Sequence, residues 1–189
     1  MRNEAKVVVI GGGVAGCSVL YHLTKLGWTD VTLVEENELT SGSTWHAAGL
    51  CTQMISSWNL MKVLQYSLKL YNSIEAETGQ AVDFHQCGSL RIGTSQNRVD
   101  EFHNRKGIAE TLGIPFEVIT PDRARELHPL ANFDDAKAIA HIPTDGYVDS
   151  AGVATALAKG ATLAGAEVNR NTSVTSMEQS GDGWIVKTN

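Results

Sequence analysis

A short run of β-branched apolar residues lies near the start of the chain. After it, apolar residues recur at the intervals typical of a helix. Residues 6–10 are interpreted as a buried strand, because the run is bounded by glycine and is too short for a helix. A helix that ends at Gly27 is predicted next, since apolar side chains recur at three- and four-residue steps at Val19, Leu20, Leu23 and Leu26. Residues 31–34 form a second strand. Strand, helix and strand within about 30 residues predict a βαβ unit with parallel strands.

Loops, helices and strands alternate after this unit. Residues 38–49 are rich in small and polar residues and have no helical or strand periodicity, which predicts a loop. A long helix follows and ends at Gly79, with core-facing positions at Leu60, Leu64, Leu68, Tyr71 and Ile74. From residue 138 the α/β alternation of the start resumes. The remaining predicted elements are strands at 89–92, 116–119, 138–142, 165–168, 174–179 and 184–188, and helices at 96–112, after Thr120-Pro121 and at 150–163. The last two strands flank a glycine-containing hairpin turn, and the unpaired edge they leave predicts that the protein is longer than these residues.

Composition narrows the class of protein. Hydrophobic residues make up 42% and charged residues 19%, which is typical of a globular domain. A net charge of -6 provides no general attraction to nucleic acid or to anionic membranes, and no apolar run approaches the ~20 residues of a membrane span. Three cysteines without a CxxC spacing favour a reducing compartment, so a cytoplasmic location is predicted. The histidines lack metal-ligand spacing, so no metal site is expected.

A glycine-rich turn joins the first strand to the first helix. Gly11, Gly13 and Gly16 have the GxGxxG spacing, in which the glycines permit a tight turn, a close approach to a pyrophosphate and close helix packing. Glu35 ends the second strand, where a carboxylate accepts hydrogen bonds from ribose hydroxyls and disfavours a 2′-phosphate. A dinucleotide site is therefore predicted; the alternative is that the glycines serve only the turn. Its predicted residues are Gly11, Gly13, Val14, Ala15, Gly16, Glu35 and Glu36.

The loop after the second strand resembles a known family. Residues 38–50 are similar to the glycine- and serine-rich loop of FAD-dependent amine and amino-acid oxidoreductases of the D-amino-acid oxidase superfamily. The segment Ser41-Gly42-Ser43-Thr44-Trp45-His46-Ala47-Ala48-Gly49-Leu50 more closely resembles the flavin-attachment segment of the sarcosine and dimethylglycine dehydrogenases. The resemblance extends through 59–61, 75–80, 87–90 and 145–149, and so covers essentially the whole chain.

The resemblance implies roles for individual loop residues. His46 would be joined covalently to the 8α-methyl group of the flavin, and a neutral imidazole is a suitable nucleophile near neutral pH. Further cofactor contacts are implied for Ser43, Thr44, Ala48, Gly49 and Leu50, with the two hydroxyls donating to the pyrophosphate. Two alternatives stay open: His46 is a loop histidine hydrogen-bonded to backbone, or Cys51 is the flavin anchor. Asp149 is expected to cap the following helix.

The same resemblance implies an α/β fold and an activity. Residues 1–80 and 137–189 would belong to a Rossmann-like FAD-binding domain with a parallel sheet and a β-hairpin crossover, and residues 81–136 would begin an α+β substrate domain that interrupts it. The enzyme would oxidise the C–N bond of an N-methylated amino acid of the sarcosine or dimethylglycine type, with electron-transfer flavoprotein or oxygen as acceptor. Tetrahydrofolate would require a further C-terminal domain. Catalytic residues are expected beyond residue 189, and these residues alone are expected to be inactive.

Two other functions remain open from the residues. An NAD-dependent Rossmann dehydrogenase shares the glycine turn, although the loop after Glu36 has no evident role in binding nicotinamide. A non-catalytic flavin-binding or regulatory relative would keep the cofactor site and lack the catalytic part.

Overall fold

The computed structural model describes residues 3–189, which separate into two compact units. Unit 1 comprises the residues up to 49 together with 70–83 and 148–189, and unit 2 comprises 50–69 and 84–147. The helices are α1 (Val14–Lys25), α2 (Trp58–Thr78), α3 (Gln96–Leu112), α4 (Pro121–Leu127) and α5 (Ser150–Leu163). The strands are β1 (Val7–Ile10), β2 (Val31–Val34), β3 (Leu50–Cys51), β4 (Ser89–Gly93), β5 (Glu117–Ile119), β6 (Ala138–Ile142), β7 (Gly146–Tyr147), β8 (Glu167–Asn169), β9 (Val174–Ser180) and β10 (Gly183–Thr188).

Unit 1 is built on a parallel sheet with the strand order β1-β2-β8. Val7 lies opposite Val31 and Thr32 lies opposite Glu167, so the predicted βαβ unit is confirmed. Strand β2 is buried along its whole length. Strand β1 is not the buried strand that the sequence predicted, because Ile10 is 49% exposed and β2 is the strand that pairs with β1 within residues 3–189. The predicted hairpin is also confirmed, as β9 and β10 pair antiparallel across the turn at Gly181.

Two helices of unit 1 pack closely beside the sheet. The buried side of α1 comprises Cys17, Leu20, Tyr21 and Thr24. Gly160 of α5 permits this packing, since a β-carbon there would lie 2.8 Å from the Tyr21 ring. The spacing of apolar residues predicted helix α1 correctly, but it did not identify the buried face. Val19 is exposed and Leu26 is 76% exposed. A neighbouring helix selects the buried face, and periodicity alone cannot identify that neighbour.

Unit 2 contains an antiparallel sheet with the strand order β4-β6-β5. The central strand β6 was expected to resume the α/β alternation of the start of the chain, but it pairs antiparallel with β4 and β5.

The Thr120 side chain caps α4 by accepting a hydrogen bond from the Arg123 N–H at 3.2 Å, as the Thr120-Pro121 pair predicted. In α2 the predicted core-facing Leu60 is 53% exposed and the adjacent Met61 is buried. Within residues 3–189, helices long and apolar enough to cross a membrane are absent.

Candidate functional site

The glycine turn of unit 1 leaves space where a dinucleotide phosphate would lie. Gly11 has a φ of +105°, a conformation that side chains rarely adopt, and a β-carbon added to it would meet no atom within 4 Å. A β-carbon at Gly13 would meet only the Thr44 hydroxyl, at 3.1 Å. At Gly16 a β-carbon would overlap the Gly11 carbonyl oxygen, so this glycine is needed for the close helix contact. Gly11 therefore makes the tight turn and Gly16 permits the close helix contact, while the approach of Gly13 to a pyrophosphate stays a prediction.

Gly12 is a fourth required glycine, which the fingerprint treats as a variable position. A β-carbon there would lie 2.6 Å from Leu39 Cδ2 and 2.9 Å from Glu35 Cγ. The backbone N–H of Gly12 also donates to Glu35 Oε2 at 2.6 Å. The turn and the carboxylate of Glu35 thus pack directly against each other.

Gly12→Ala should weaken FAD binding, because relief of the contact moves the Glu35 stem as well as the end of Leu39. We expect a loss of about 1–3 kcal/mol in the free energy of unfolding, as for an overpacked core. Gly107→Ala is the control: a β-carbon there meets no atom within 4 Å, and alanine should stabilise helix α3 by up to about 1 kcal/mol. Thermal unfolding and FAD titration of both variants check the difference. Equal behaviour of the two would contradict a packing role for Gly12.

Glu35 stands at the end of β2, half-buried beside the turn. Its Oε2 accepts from the Gly12 N–H and its Oε1 accepts from the Asn37 N–H at 2.8 Å. A carboxylate offers about four acceptor positions, so two remain for a diol. A cavity of about 210 Å³ adjoins it, lined by Ile10, Gly11, Val34, Glu35, Glu36, Thr172, Ser173 and Val174. Glu36 itself is exposed.

The residues at 172–174 were missed in the sequence. They follow β8, whose parallel alignment with β2 brings them to the edge where both strands end. The backbone N–H of Thr172 donates to the Glu35 carbonyl at 2.8 Å, which holds the segment in place. The rule that ligands bind beyond the carboxyl ends of parallel strands could have indicated them.

Thr44 connects the flavin-type loop to the start of α1. Its buried hydroxyl accepts from the Val14 N–H at 3.0 Å and so supplies the cap that Gly13, lacking a side chain, cannot. The hydroxyl proton remains able to donate to an anion at the same helix end. Ser43 is exposed beside it, as are Val14 and Ala15. These positions fit the pyrophosphate contacts that the sequence predicts.

His46 lies in a single 3₁₀ turn at Thr44–His46 and is exposed. Its Nδ1 is 3.2 Å from the Gly42 carbonyl oxygen. Because a carbonyl can only accept, this hydrogen bond forms in the tautomer with the proton on Nδ1, which has its lone pair on Nε2. The Trp45 ring lies against the imidazole, with 3.9 Å between ring centres. The backbone hydrogen bond and an available nucleophilic nitrogen thus coexist.

The last predicted loop residues fall on either side of the boundary between the units. Ala48 is exposed in unit 1. Gly49 has a φ of +69°, and its carbonyl accepts from the Val148 N–H at 2.9 Å. Leu50 is the first residue of unit 2, exposed in β3. Unit 1 therefore brings together the glycine turn, Glu35 and Thr44, while Leu50 pairs with Tyr147 in unit 2.

Cys51, the alternative anchor, has the properties of a structural thiol. Burial raises its pKa to about 11, and the Asp145 carboxylate contributes to the shift. The thiolate is the nucleophilic form, so the raised pKa disfavours Cys51 as a nucleophile near neutral pH. Asp145 is buried and accepts from the Gln53 N–H at 3.0 Å and from the Ser89 hydroxyl at 2.6 Å.

Asp149 caps α5 by accepting a hydrogen bond from the Ala151 N–H, as predicted.

Comparison with known proteins decides the family. The model of the FAD dependent oxidoreductase family, abbreviated DAO, matches residues 6–189. The chain belongs to this family. Its sequence is 44% identical over 188 residues to rat mitochondrial dimethylglycine dehydrogenase, which covers 99% of this chain and 22% of the relative. Human mitochondrial sarcosine dehydrogenase is 38% identical, with 99% and 20% covered. The chain thus spans about a fifth of the length of these relatives.

A solved structure supports the fold that the resemblance implied. The crystal structure of L-proline dehydrogenase from P. horikoshii superposes with a TM-score of 0.91 at 30% identity, covering 100% of this chain and 50% of that one. The predicted α/β fold of an FAD-dependent oxidoreductase is confirmed.

Proposed function

We propose that the protein oxidises the C–N bond of an N-methylated amino acid and carries FAD covalently bound to His46. The exposed imidazole of His46, whose Nδ1 contacts the Gly42 carbonyl, is the observation that carries this proposal. The similarity to dimethylglycine and sarcosine dehydrogenases supports the substrate class. Since the chain spans about a fifth of those proteins, residues beyond this chain would supply the substrate contacts and the catalytic groups.

The described residues fit FAD at its adenosine and phosphate end. The open space at Gly11 and Gly13 is where a β-carbon would obstruct a pyrophosphate, and Ser43, Thr44 and the start of α1 would donate hydrogen bonds to it. Glu35 would accept from the ribose hydroxyls. The cavity lined by Ile10, Val34 and residues 172–174 would take the adenosine. Bound FAD supplies the two-electron acceptor, and this chain supplies its binding and orientation.

Attachment would make one bond in a balanced reaction. Nε2 of His46 would replace one hydrogen of the 8α-methyl group. The proton from that C–H bond and the Nδ1 proton of the imidazole would be released, the flavin would take up the two electrons, and dioxygen would be the oxidant that restores the flavin and forms hydrogen peroxide. We propose Nε2 rather than Nδ1 as the bonding atom, because Nδ1 donates to the Gly42 carbonyl.

Glu35→Gln should weaken FAD binding by about 1.5–3 kcal/mol, about 10- to 100-fold, the range for a hydrogen bond to a charged acceptor. The amide keeps one acceptor oxygen for the backbone but cannot accept both ribose hydroxyls. The titration is done in a His46→Ala background, so that covalent attachment cannot mask the affinity. Glu110→Gln, exposed on α3, is the control. An affinity as high as that of the control would remove Glu35 from the ribose site.

The visible spectrum before and after acid precipitation distinguishes covalently bound flavin from dissociable flavin and from a protein without flavin. Flavin absorbance retained in the pellet supports covalent attachment, and flavin released to the supernatant supports a non-covalent relative. Absence of flavin from the purified full protein would favour an NAD-dependent dehydrogenase. Anaerobic addition of sarcosine or dimethylglycine should bleach the bound flavin, and unchanged absorbance with both would favour a non-catalytic relative.

The electron acceptor and the cellular location of the protein are further parts of the proposal, and each has its own test. Electron-transfer flavoprotein or oxygen would take the electrons, and oxygen consumption during turnover separates the two; tetrahydrofolate would act only with a further C-terminal domain. The proposed cytoplasmic location rests on Cys17, Cys51 and Cys87, which form no disulfide in the described residues. The two dehydrogenase relatives are named as mitochondrial proteins, and cell fractionation would distinguish these locations.

A further inference from the structure

The exit from the loop that carries His46 is fixed at Gly49. The φ of +69° already disfavours a side chain, and a β-carbon there would overlap the Val148 carbonyl oxygen and lie 3.5 Å from the Ser150 hydroxyl. The Gly49 carbonyl accepts from the Val148 N–H at 2.9 Å. The obstructing atom belongs to backbone, so a side chain at position 49 would have to move the loop.

The segment that Gly49 contacts is firmly held within unit 1. The Asp149 N–H donates to the Val82 carbonyl at 2.9 Å, and the Asp149 carboxylate caps α5 through the Ala151 N–H at 3.0 Å. Helix α5 is itself largely buried. A second contact reaches the loop from this helix, as the Ser150 hydroxyl donates to the Ala47 carbonyl at 3.5 Å. Residues 148–150 therefore form a fixed support.

The turn that carries His46 depends on supports at both ends. A single turn of three residues has little stability of its own. Its start is held by the bond between the Thr44 hydroxyl and the Val14 N–H. Its exit is held at Gly49, three residues after His46. Formation of a bond requires the reacting atoms to be held near 3–3.5 Å, and a displacement of about 1 Å costs about 100-fold in rate.

We propose that Gly49 is a positioning residue for covalent flavin attachment, acting through its close contact with residues 148–150 to place His46. This inference rests on the proposed function, because it assumes that His46 is the attachment residue. The glycine is required here by the approach of the Val148 carbonyl, in addition to any contact with the flavin that the sequence predicts.

The test measures the first-order rate of attachment at saturating FAD. Apo-protein of the full chain, purified from a riboflavin-starved host, is mixed with FAD, and acid-precipitable flavin is followed over time. Gly49→Ala should attach at least about 100-fold more slowly than the parent. Because every folded molecule is loaded with FAD at the start, a change in affinity does not alter this rate. Gly49→Asn, which tolerates the φ but keeps the clash, should be equally slow.

Two control variants separate the clash from general strain. Gly27→Ala also introduces a side chain at positive φ, +86°, but meets no atom within 4 Å, and should attach at the parent rate. If both position-49 variants fail to fold, Asp149→Ala tests the support from its other side. Loss of that cap should slow attachment several-fold, whereas loss of the equivalent cap in Thr120→Ala should not.

The outcomes identify which proposal fails. Covalent flavin in His46→Ala would overturn the attachment site itself. If His46→Ala abolishes attachment while Gly49→Ala, or Asp149→Ala in the fallback test, attaches at the parent rate, the positioning role alone is wrong. Slow attachment in both Gly49→Ala and Gly27→Ala would also overturn it, because strain without the clash would then suffice.

Discussion

Replacing His46 by alanine should convert a covalently bound flavin into a dissociable one. The side chain is exposed in a loop, so its loss should leave folding largely intact. The flavin should also become harder to reduce, since the nitrogen substituent at the 8α position withdraws electron density from the ring. Fluorescence of the protein band under ultraviolet light in a denaturing gel checks the first expectation. A redox titration checks the second.

Cys51→Ser is the matched comparison for this experiment. The raised pKa of the half-buried Cys51 thiol disfavours it as a nucleophile, so the serine variant should keep a fluorescent band as strong as that of the parent protein. A band that survives in His46→Ala and disappears in Cys51→Ser would contradict the proposed attachment. It would identify the thiol as the anchor.

Gly13→Val should abolish FAD binding. A β-carbon at this position would lie 3.1 Å from the Thr44 hydroxyl, and the two methyl groups of valine would extend further into the space proposed for the pyrophosphate. The substitution also disturbs the cap that Thr44 provides to the Val14 N–H. Overpacking and the loss of charged hydrogen bonds together should reduce affinity by at least about 100-fold. Titration with FAD in the His46→Ala background measures the affinity directly.

Gly107→Val provides the control for a valine placed at a glycine. A β-carbon at Gly107 in α3 meets no atom within 4 Å, and the position lies in unit 2. This variant should bind FAD as the parent does. Near-normal affinity in Gly13→Val, with circular dichroism showing both variants folded, would mean that the phosphates lie elsewhere.

The sequence was most informative where a local signal has one structural solution. The βαβ unit follows from strand, glycine turn and helix, and the caps at Thr120 and Asp149 follow from single residues before helices. Gly16 is needed for the helix contact that the spacing predicts. Each of these features depends on residues that are close in the sequence, so the local sequence pattern was enough to predict it.

Features set by distant contacts could not be predicted in this way. The need for glycine at position 12 arises from Leu39 and Glu35, and the burial of α1 arises from α5. Strand β6 resembles an α/β strand locally, yet it pairs antiparallel with β4 and β5. Thr44 was expected to contact phosphate, and its bond to the Val14 N–H became visible only when both residues were placed. Each case depends on a partner at least 20 residues away.

The attachment of flavin to His46 is tested most directly by mass spectrometry of one peptide. Trypsin cuts after Lys25 and Lys62, and the peptide between these cuts contains both His46 and Cys51. In the purified full protein this peptide should carry the mass of the flavin adduct, and fragmentation should place the adduct on His46. An unmodified peptide, or an adduct placed on Cys51, would contradict the account.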